Sequence, residues 1–576
     1  MKISKRLAAL PLTALVALAS GVQAQSLGGI ETEQNQQQRR DAQQREAAVS
    51  APAVRSTLPK LEAYPELPHE SPCFHIDTFK LDVPDTLPAA SLKKGASALP
   101  LDPFAFAREW LDHYKGQCVG KAGIDTLTKG LQQAILSRGY VTTRVLVPAQ
   151  QDLTTGALAF ALVPGVIREV RFADPSMWGT PKNAFPAGNG DLLNLRDLEQ
   201  GLEQMKRVAS QDVDMQITPT GNAGESDVVV TVKRSKPWTF VASVDNSGTD
   251  ATGKWQGNVS LGIDNPLGLN DIFYVGANQD LSFGNKALGS HGFNGSYSVP
   301  WGYWTATLSG NTNTYYQNIA GVNQTFVSSG NSQNAALRIA RVLSRSQNDV
   351  LGGYVQLSKR FGDSFIDDTT IPTQARNNTF LELGATDRHY FGAAQFDGTL
   401  AYRQGIGGFG ATADPYPDGP TYRYHMAVLD ANLSVPFAIA SQTFRYVGTV
   451  HGQFTNDTLF YIDDITIGSR YTVRGFDGET MLAAERGFYW RNELQWPVFQ
   501  TGQTLYAGID YGRVFGPNTA VLAGTQLAGA VIGIRGGLPA KYVGVSYDLF
   551  GGTPIYKPEG FPTARWTVGF QITAAF

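Results

Sequence analysis

The chain contains 576 residues, 17% of them charged, and its formal net charge is -3 at pH 7. This balance excludes a strongly basic chain and gives no reason to expect a nucleic-acid partner. Glycine (62 residues) and aromatic side chains (11%) are frequent, which is typical of membrane β-barrels with tight turns and aromatic girdles. Beyond the N-terminal region no apolar run reaches the ~18 residues of a transmembrane helix, so none is predicted.

Residues 1–24 are predicted to be a secretory signal peptide. Basic residues at the start precede an apolar stretch from Leu7 to Ala19, and a small-residue cleavage site ends at Ala24. A membrane anchor is the alternative, but the apolar stretch is short for spanning a bilayer. The mature chain is therefore expected to be exported.

Residues 25–50 are rich in Gln, Arg, Glu and Ala and contain almost no apolar side chains. A helix here would be polar on all sides, so an apolar core could not hold it. The segment is therefore either disordered or placed in a wet cavity such as a barrel lumen. Residues 51–72 form a linker that prolines keep extended, namely Pro52, Pro59, Pro65, Pro68 and Pro72.

Two small α/β units are predicted next, over residues 73–163 and 164–236. The first contains strands and helices in the order strand, helix, helix, strand, strand, at 74–83, 103–114, 124–138, 141–148 and 157–163. The second follows the order strand, helix, strand, strand, at 166–172, 195–208, 213–219 and 227–234.

The chain has two cysteines, Cys73 and Cys118, and both fall in the first unit. In an oxidising periplasm such a pair is most simply a disulfide. Two free thiols or half of a metal site are the alternatives, but the sequence offers no partner ligands at metal spacing. A bond that closes a loop of about 45 residues would stabilise the unit by around 3–4 kcal/mol on the chain-entropy model.

Residues 237–576 show strands of alternating apolar and polar residues, joined by turns that are short at one end and long at the other. About seven short turns can be placed, at 265–270, 299–303, 344–348, 387–392, 435–442, 496–503 and 538–541. If both ends of the barrel lie in the periplasm, these turns imply eight outer loops and about 16 strands. Prolines are assigned to the turns because they lack the N–H that a closed ladder needs, namely Pro266, Pro300, Pro436, Pro497 and Pro539.

The last segment favours a membrane barrel over a soluble sandwich. Its apolar residues form one file that ends at the C-terminus, namely Trp566, Val568, Phe570, Ile572, Ala574 and Phe576. A chain that ends on an aromatic residue in such a strand resembles outer-membrane proteins, whose last strand is read by the insertion machinery. We therefore take Phe570, Ile572 and Phe576 as the predicted insertion signal.

In this order the features resemble the TpsB transporters of two-partner secretion, which include the haemolysin and filamentous-haemagglutinin exporters. The resemblance covers essentially the whole mature chain, and it implies two POTRA domains, a plug helix with its linker, and a 16-stranded transmembrane barrel. Local sequences are similar too, at Pro72–Phe74 with Ile76, at Asp264–Gly268, and at Val473, Arg474, Gly475 and Phe476, the hallmark motif of the sixth outer loop.

Counting loops from the short turns places residues 455–487 as outer loop six, which contains that motif. The resemblance implies that its Arg474 meets an acidic residue on the barrel wall, in a segment similar to Gly508–Gly512. The alternation of lipid-facing and lumen-facing residues along this strand predicts that Asp510 faces the lumen, where its carboxylate can pair with a cation. The planar fork of arginine suits this pairing, and Gly475 would permit a tight turn behind it. The alternative is that the motif is an ordinary surface turn.

The resemblance implies export of a large partner protein, of the haemolysin, adhesin or contact-dependent toxin type, from the periplasm to the cell surface. The POTRA domains would capture the partner's N-terminal secretion domain, and outer-membrane lipid and the barrel-assembly machinery are the other expected partners. We find no GxxxxGK[ST] nucleotide motif, no paired nucleophile and base, and no metal or cofactor motif, so no enzyme is predicted. The alternative is a barrel-assembly insertase, which would share the motif but usually carries more POTRA domains and no plug. A passive porin would need neither POTRA domains nor the loop-six motif.

Overall fold

A computed structural model describes residues 33–43, 45–46, 50, 53–59, 64–82, 103–320, 324–415, 417, 419–499, 501–538 and 543–576. The predicted signal peptide lies outside the described residues, as do parts of the polar segment, the linker and the last short turn. Within these ranges no helix has the length and apolar character needed to cross a membrane.

The polar segment contains a helix, α1, over residues 33–43 and 45–46. The first α/β unit has strands β1 (Phe74–Ile76), β2 (Thr78–Asp82), β3 (Gln117–Val119), β4 (Arg144–Leu146) and β5 (Ala157–Val163), and helices α2 (Ala105–Asp112) and α3 (Lys121–Ser137). Its sheet has the order β2-β5-β4, in which β2 is parallel to β5. The two helices bury one apolar stripe each against this sheet, around Leu111, Leu127 and Phe160.

The prediction of one strand over 74–83 is wrong, because the structure has two strands here, which are separated at Asp77. The first of these, β1, leaves the main sheet and pairs with β3, a strand that the sequence did not predict. The predicted disulfide is present between Cys73 and Cys118, with a Cα–Cα distance of 5.4 Å. It holds β1 beside β3, and His75 is paired with Cys118 in their register.

The second unit has strands β6 (Val166–Phe172), β7 (Gln211–Pro219) and β8 (Glu225–Arg234), and one helix, α4 (Leu195–Lys206). The sheet order is β6-β8-β7, with β6 parallel to β8. The Asn194 side chain accepts a hydrogen bond from the N–H of Arg196 at 2.8 Å and so begins α4 where the sequence predicts it. The apolar face of α4 packs on the sheet through Leu198, Leu202 and Met205.

The C-terminal part is a closed barrel in which neighbouring strands are antiparallel. Sixteen long strands form the ring in the residues described, and the two-residue β16 adds a short pairing at the end of β15. The strands are β9 (Trp238–Asp245), β10 (Gln256–Asp264), β11 (Ile272–Asp280), β12 (Leu288–Trp301), β13 (Trp304–Ala320), β14 (Thr325–Arg345), β15 (Asp349–Ile366), β16 (Thr369–Thr370), β17 (Arg376–Phe391), β18 (Ala394–Ile406), β19 (His425–Ile439), β20 (Gln442–Phe454), β23 (Arg486–Val498), β24 (Gln503–Phe515), β25 (Gln526–Leu538), β26 (Gly544–Tyr556) and β27 (Thr567–Ala575). The long loop between β20 and β23 contains a hairpin of β21 (Ile465–Ile467) and β22 (Leu482–Ala484). The predicted 16-stranded barrel is therefore confirmed.

The assignment of prolines to the turns is wrong at three of the five positions. These three prolines lie in strands that continue into tight hairpins, namely Pro300 in β12, Pro436 in β19 and Pro497 in β23. Each lies two residues beyond the last residue that pairs with the preceding strand, namely Ser298, Ser434 and Gln495. A proline is tolerated there because the missing N–H can face an edge without a partner.

Candidate transport channel

Outer loop six, the segment 455–485 between β20 and β23, folds back into the barrel. Its hairpin packs apolar side chains against the inner wall, and the resulting cluster combines loop and wall residues. The cluster contains Ile465, Ile467, Val473, Phe476, Leu482 and Ala484 from the loop, and Tyr489, Val514, Leu527 and Phe561 from the barrel and its last outer loop. The loop thus has an apolar core of its own inside the lumen.

The turn of the predicted motif touches the wall at Gly475, which has φ +102°. A Cβ on this residue would lie 2.6 Å from the carbonyl oxygen of Thr553 in β26. The wall also needs a glycine at this contact, because a Cβ on Gly529 of β25 would lie 1.9 Å from the carbonyl oxygen of Arg474. Glycine is therefore required on both sides of this contact.

Arg474 binds Asp510 through several hydrogen bonds. Its Nε donates to Asp510 Oδ2 at 2.7 Å, its Nη2 donates to Oδ1 at 2.9 Å, and its backbone N–H donates to Oδ2 at 3.0 Å. The two residues are 4% and 0% exposed, respectively. This bidentate grip of a planar guanidinium on a carboxylate fixes the orientation as well as the position of the loop.

The wall strand β24 presents Asp510 between two inward glycines. A Cβ on Gly508 would lie 2.7 Å from Arg474 Nη2, and one on Gly512 would lie 2.8 Å from the Val473 side chain. Outward residues alternate with them, since Ile509 is 61% exposed while Asp510 is fully buried. The spacing glycine, aspartate, glycine on one face of a strand therefore makes room for the loop around the carboxylate.

A second carboxylate, Glu493 on β23, also binds the arginine, and the sequence reasoning missed it. Arg474 Nη1 donates to Glu493 Oε2 at 2.5 Å, and Arg535 on β25 donates to Glu493 Oε1 at 2.5 Å. Alternation along β23 could have pointed Glu493 into the lumen, but nothing in the sequence singles it out from other inward polar residues. Together the two arginines and two carboxylates balance each other's charge.

Helix α1 crosses the lumen. Its arginines and its first glutamate contact the inner wall on five strands from β9 to β23: Arg39 with Asp245 on β9 (3.0 Å), Arg40 with Asn313 on β13 (3.4 Å), Glu33 with Arg376 on β17 (2.9 Å), and Arg45 with Asp430 on β19 (3.4 Å) and Tyr489 on β23 (3.0 Å). A helix whose partners are spread over five strands of a closed ring in this way lies within the ring. Of the two alternatives for the polar segment, the structure shows the wet cavity for residues 33–46 apart from residue 44.

The helix also contacts loop six. Gln34 Nε2 donates to the carbonyl oxygen of Tyr461 at 2.8 Å, Gln38 donates to the Thr466 hydroxyl, and the Ser469 hydroxyl donates to Gln38 Oε1 at 2.5 Å. Helix α1 and loop six, which together fill the lumen, are therefore in contact through hydrogen bonds.

The linker is held at the periplasmic rim, between α4 and the short turn after β14. Arg345 Nη2 donates to the carbonyl oxygen of Val54 at 2.9 Å and to Glu203 Oε2 at 2.5 Å. The backbone N–H of Ser56 donates to Glu199 Oε1 at 2.6 Å. We call this contact between residues 54–56, Glu199, Glu203 and Arg345 the linker clip.

The second unit is attached to the barrel by its helix and by the loop before it. Gln204 Nε2 on α4 donates to the carbonyl oxygen of Gly302 in the tight turn at 3.1 Å, and the Gly302 N–H donates to the carbonyl oxygen of Asn183 at 2.8 Å. The Tyr303 hydroxyl donates to Asp197. Burial raises the pKa of the Asp197 carboxyl despite this bond. The second unit is thus held against the first strands of the barrel.

Further along, the linker packs on the first unit. Tyr64 stacks on His113 with ring centroids 3.7 Å apart. The Glu70 carboxylate accepts three backbone N–H groups at the start of α3, from Gly120 (2.9 Å), Ala122 (2.8 Å) and Gly123 (2.7 Å). Desolvation alone would raise the pKa of Glu70, but these three donors outweigh it and hold the pKa below its ordinary value.

The predicted insertion signal lies where the barrel closes. The backbone N–H of Phe576 donates to the carbonyl oxygen of Phe240 on β9 at 2.8 Å, and Phe570 lies against Trp255 with ring centroids 5.1 Å apart. Ile572 faces outward and is 48% exposed. Strand β27 pairs with β9 only from Gln571 to Ala575, so this is the shortest pairing between long strands of the ring.

Comparison with known proteins identifies the family. Residues 224–536 match the family described as Haemolysin secretion/activation protein ShlB/FhaC/HecB, residues 94–165 match the POTRA domain of ShlB type, and residues 166–219 match another POTRA domain family. The chain is 64% identical to the outer membrane transporter CdiB-2 of Burkholderia pseudomallei, over 100% of both chains.

Two solved structures share the fold. CdiB from Acinetobacter baumannii is 27% identical with a TM-score of 0.83, and CdiB from Escherichia coli is 25% identical with a TM-score of 0.82. Each comparison covers 95% of this chain and 99% of the other. The chain therefore belongs to the haemolysin secretion/activation family and is an outer-membrane transporter of two-partner secretion, with its two POTRA domains in the periplasm.

Proposed function

We propose that this transporter exports one large partner protein, of the haemolysin, adhesin or contact-dependent toxin type, and that the arrangement described above is its closed, resting state. The observation that carries the proposal is α1, which crosses the lumen and contacts wall residues from Asp245 on β9 round to Tyr489 on β23. A chain in transit cannot occupy the same space, so α1 leaves the lumen when the partner passes.

The partner's N-terminal secretion domain is captured by the POTRA domains. Both POTRA sheets offer strand edges to an extended chain, since β4 and β7 each pair on one side only among the residues described. Addition of a strand supplies main-chain hydrogen bonds with little demand on sequence, which suits a partner that arrives unfolded. Folding of the partner outside the cell biases the direction of transport without ATP.

The chain acts as a conduit and performs no enzymatic step on its partner. Support comes from the relatives, which are named as transporters. Its remaining partners are the outer-membrane lipid, against the exposed apolar residues of the strands, and the barrel-assembly machinery, which reads the terminal strand at Phe576.

The test is to lock α1 in place. Cysteines at Gln38 and Thr466, whose side chains are hydrogen bonded, should be joined by a short, reducible thiol cross-linker, because a contact through the end of a glutamine side chain leaves the two Cβ atoms too far apart for a direct disulfide. The cross-link should stop export, and its reduction should release export. A control pair, Thr466→Cys with Ala483→Cys, loses the same Thr466 hydroxyl but links β21 to β22 and leaves α1 untethered, because these two residues are paired in the hairpin register. Export is measured as the partner recovered from the medium.

The proposal predicts that the first pair blocks export and that the control pair does not. Export that continues with α1 locked would overturn the assignment of α1 as the barrier. If removal of the whole chain left every partner exported but caused other barrels to fail in assembly, the function would instead be that of an insertase.

A further inference from the structure

Two arginines lie on the outer face of the barrel at the extracellular ends of β23 and β24. Arg486 is the first residue of β23, and Arg513 lies near the end of β24. The neighbouring Gly487 and Gly512 face inward, toward Ile465 and Val473 of loop six. Since successive side chains of a strand point to opposite faces, both arginines point away from the lumen.

The two arginines are close to each other on that face. Phe488 pairs with Arg513 in the register, so Arg486, two residues before Phe488, is the diagonal neighbour of Arg513. Diagonal neighbours have Cβ atoms no more than about 7–8 Å apart. Two long side chains at this separation can reach one anionic group together.

The height of the pair matches the outer surface of the membrane. Arg513 follows Gln503, the first residue of β24 after a short periplasmic turn, by ten positions. At a rise of ~3.3 Å per residue and a tilt of ~40°, this places Arg513 about 25 Å above the periplasmic end of the strand. The apolar band of such barrels is also about 25 Å tall, so the pair lies at the level of the outer-leaflet head groups.

Aromatic side chains surround the pair on the lipid side. The guanidinium carbon of Arg513 lies 4.8 Å from the centroid of the Phe515 ring, and Phe488 lies against Tyr511 with centroids 6.0 Å apart. Trp490, below them, is 46% exposed. Aromatic rings at this height mark the interface between acyl chains and head groups.

Neither arginine has a carboxylate within 4.0 Å among the residues that the structure describes. Arg486 Nη1 donates only to neutral oxygens, the carbonyl of Thr455 at 3.3 Å and the side chain of Asn456 at 3.2 Å. Two adjacent cations without a counter-ion form a site for an anion. The flat fork of arginine matches a phosphate especially well, because it can donate two parallel bonds.

We propose that Arg486 and Arg513 bind a phosphate of lipid A, the phosphorylated glycolipid of the outer leaflet, with its acyl chains against Trp490 and Tyr511. The site lies back to back with the lumen contact of loop six, since Arg513 is three residues from Asp510 on the same strand. Arg486 also joins the two ends of loop six, because it follows the loop directly and donates to Thr455 at its start. A bound phosphate therefore steadies the rim from which loop six enters the barrel.

The test measures binding of bisphosphorylated lipid A to the full chain, purified in detergent, by native mass spectrometry. Arg486→Ala and Arg513→Ala should each weaken binding by about tenfold, as expected for the loss of charge-assisted hydrogen bonds, and the double variant should weaken it further. Lysine at either position should retain part of the affinity, because it keeps the charge but loses the fork. Folding of each variant is checked by the heat-dependent mobility of the barrel on a gel.

Arg341 is the matched control, because it is an outward arginine on an aromatic ring at the opposite interface. Its guanidinium carbon lies 4.9 Å from the Trp304 ring, next to a periplasmic turn. Arg341→Ala should leave lipid A binding unchanged. Equal loss with this control, unchanged binding by the double variant, or equally tight binding of dephosphorylated lipid A, phosphatidylglycerol or inorganic phosphate would each overturn the proposal.

Discussion

Loop six and α1 fill the same lumen, but they are held there in different ways. Loop six buries an apolar cluster against the wall and anchors Arg474 between two carboxylates. In the residues described, α1 contributes nothing to that apolar cluster and meets the wall through single polar contacts, such as Arg39 with Asp245. Apolar burial is lost in full when an element leaves the lumen, whereas polar contacts can be exchanged for water.

The difference indicates which element moves. When α1 leaves, water can enter the lumen and hydrate the groups that α1 contacted, so the net free-energy cost is modest. Loop six would have to expose its cluster and separate a buried arginine from Asp510, which is far more costly. We therefore expect α1 to leave during transport and loop six to stay on the wall or to shift along it.

The largest expected effect is at the arginine of loop six. Arg474→Ala leaves Asp510 buried without its main partner, and loss of one partner of a buried pair costs about 3–5 kcal/mol. Export should fall while the barrel stays inserted, because the strand ladder does not depend on the loop. Protease sensitivity of loop six on intact cells and partner in the medium measure the two effects.

Arg491 provides the control for that prediction, since it is a neighbouring inward arginine that donates to loop six only through the carbonyl of Tyr471 at 3.3 Å. Arg491→Ala should have a smaller effect on the loop. Loss of the inserted barrel in Arg474→Ala would assign the arginine to folding rather than to transport.

A smaller effect is expected at α1, where Arg39→Asp places a carboxylate of the helix next to the Asp245 carboxylate on β9, and the two repel each other. Asp245 is 2% exposed but still accepts hydrogen bonds from Asn258 and from the backbone of Ser247, so we expect a cost of about 1.5–3 kcal/mol. The helix should leave the lumen more often, which is measured as raised conductance in a planar bilayer. Asp245→Arg in the same chain restores the opposite charges and should restore the closed channel. Conductance that rises equally in the swapped variant would contradict this role.

The linker clip tests whether the tether of α1 helps to retain it. Arg345 Nη2 donates both to Glu203 and to the carbonyl oxygen of Val54 in the linker. Glu203→Gln weakens the first of these bonds, at a cost of about 1 kcal/mol. Conductance should rise less than in Arg39→Asp. Arg207→Gln at the end of the same helix is the control, because Arg207 binds Ser298 of the barrel at 2.6 Å and has no hydrogen bond to the linker residues that the structure describes. An equal rise in both variants would trace the effect to the POTRA attachment instead of to the linker.

The smallest effect concerns the linker on the first POTRA domain and depends on pH. The lowered pKa of Glu70 means that its cap stabilises α3 above the ordinary pKa of about 4.3 and that this stabilisation is lost as the pH falls through the lower, folded value. Hydrogen exchange at Ala122 and Gly123, corrected for its intrinsic pH dependence, should accelerate in that range. Glu70→Gln should exchange faster at neutral pH and show no such step.

Asp152 is the control for pH, since it caps a short helical turn at Thr154 in the same domain. The side-chain hydrogen bond from Thr154, with that from its backbone, also lowers the pKa of Asp152. Asp152→Asn should leave exchange at the start of α3 unchanged. A step that persists in Glu70→Gln would assign it to another carboxylate.

Much of the fold could be predicted because barrel strands obey a local rule. The period of two fixes which side chains face the lumen, so the inward position of Asp510 follows from its neighbours along the chain. Turn chemistry and loop counting then place the arginine motif in outer loop six. The rule fails at Pro300, Pro436 and Pro497, because the tolerance for proline depends on how far the neighbouring strand extends.

Helix boundaries show the same limit. The sequence predicts α3 from residue 124, but the helix begins at Lys121 because a carboxylate from the linker, Glu70, supplies its cap. Strand β3 was missed because its pairing with β1 joins segments that are far apart in the chain. Neither feature has a local signal.

By itself the sequence determined the order of the domains, the number of barrel strands and the face on which each strand residue lies, since these depend on composition and on short-range periodicity. The export signal stays a prediction. Only the tertiary structure decided which wall residues hold α1, that Glu493 shares Arg474 with Asp510, and that the linker is clipped by Arg345. The physical reason is that polar pairing inside a lumen joins residues hundreds of positions apart, and any inward charge could serve until the closed ring fixes which ones meet.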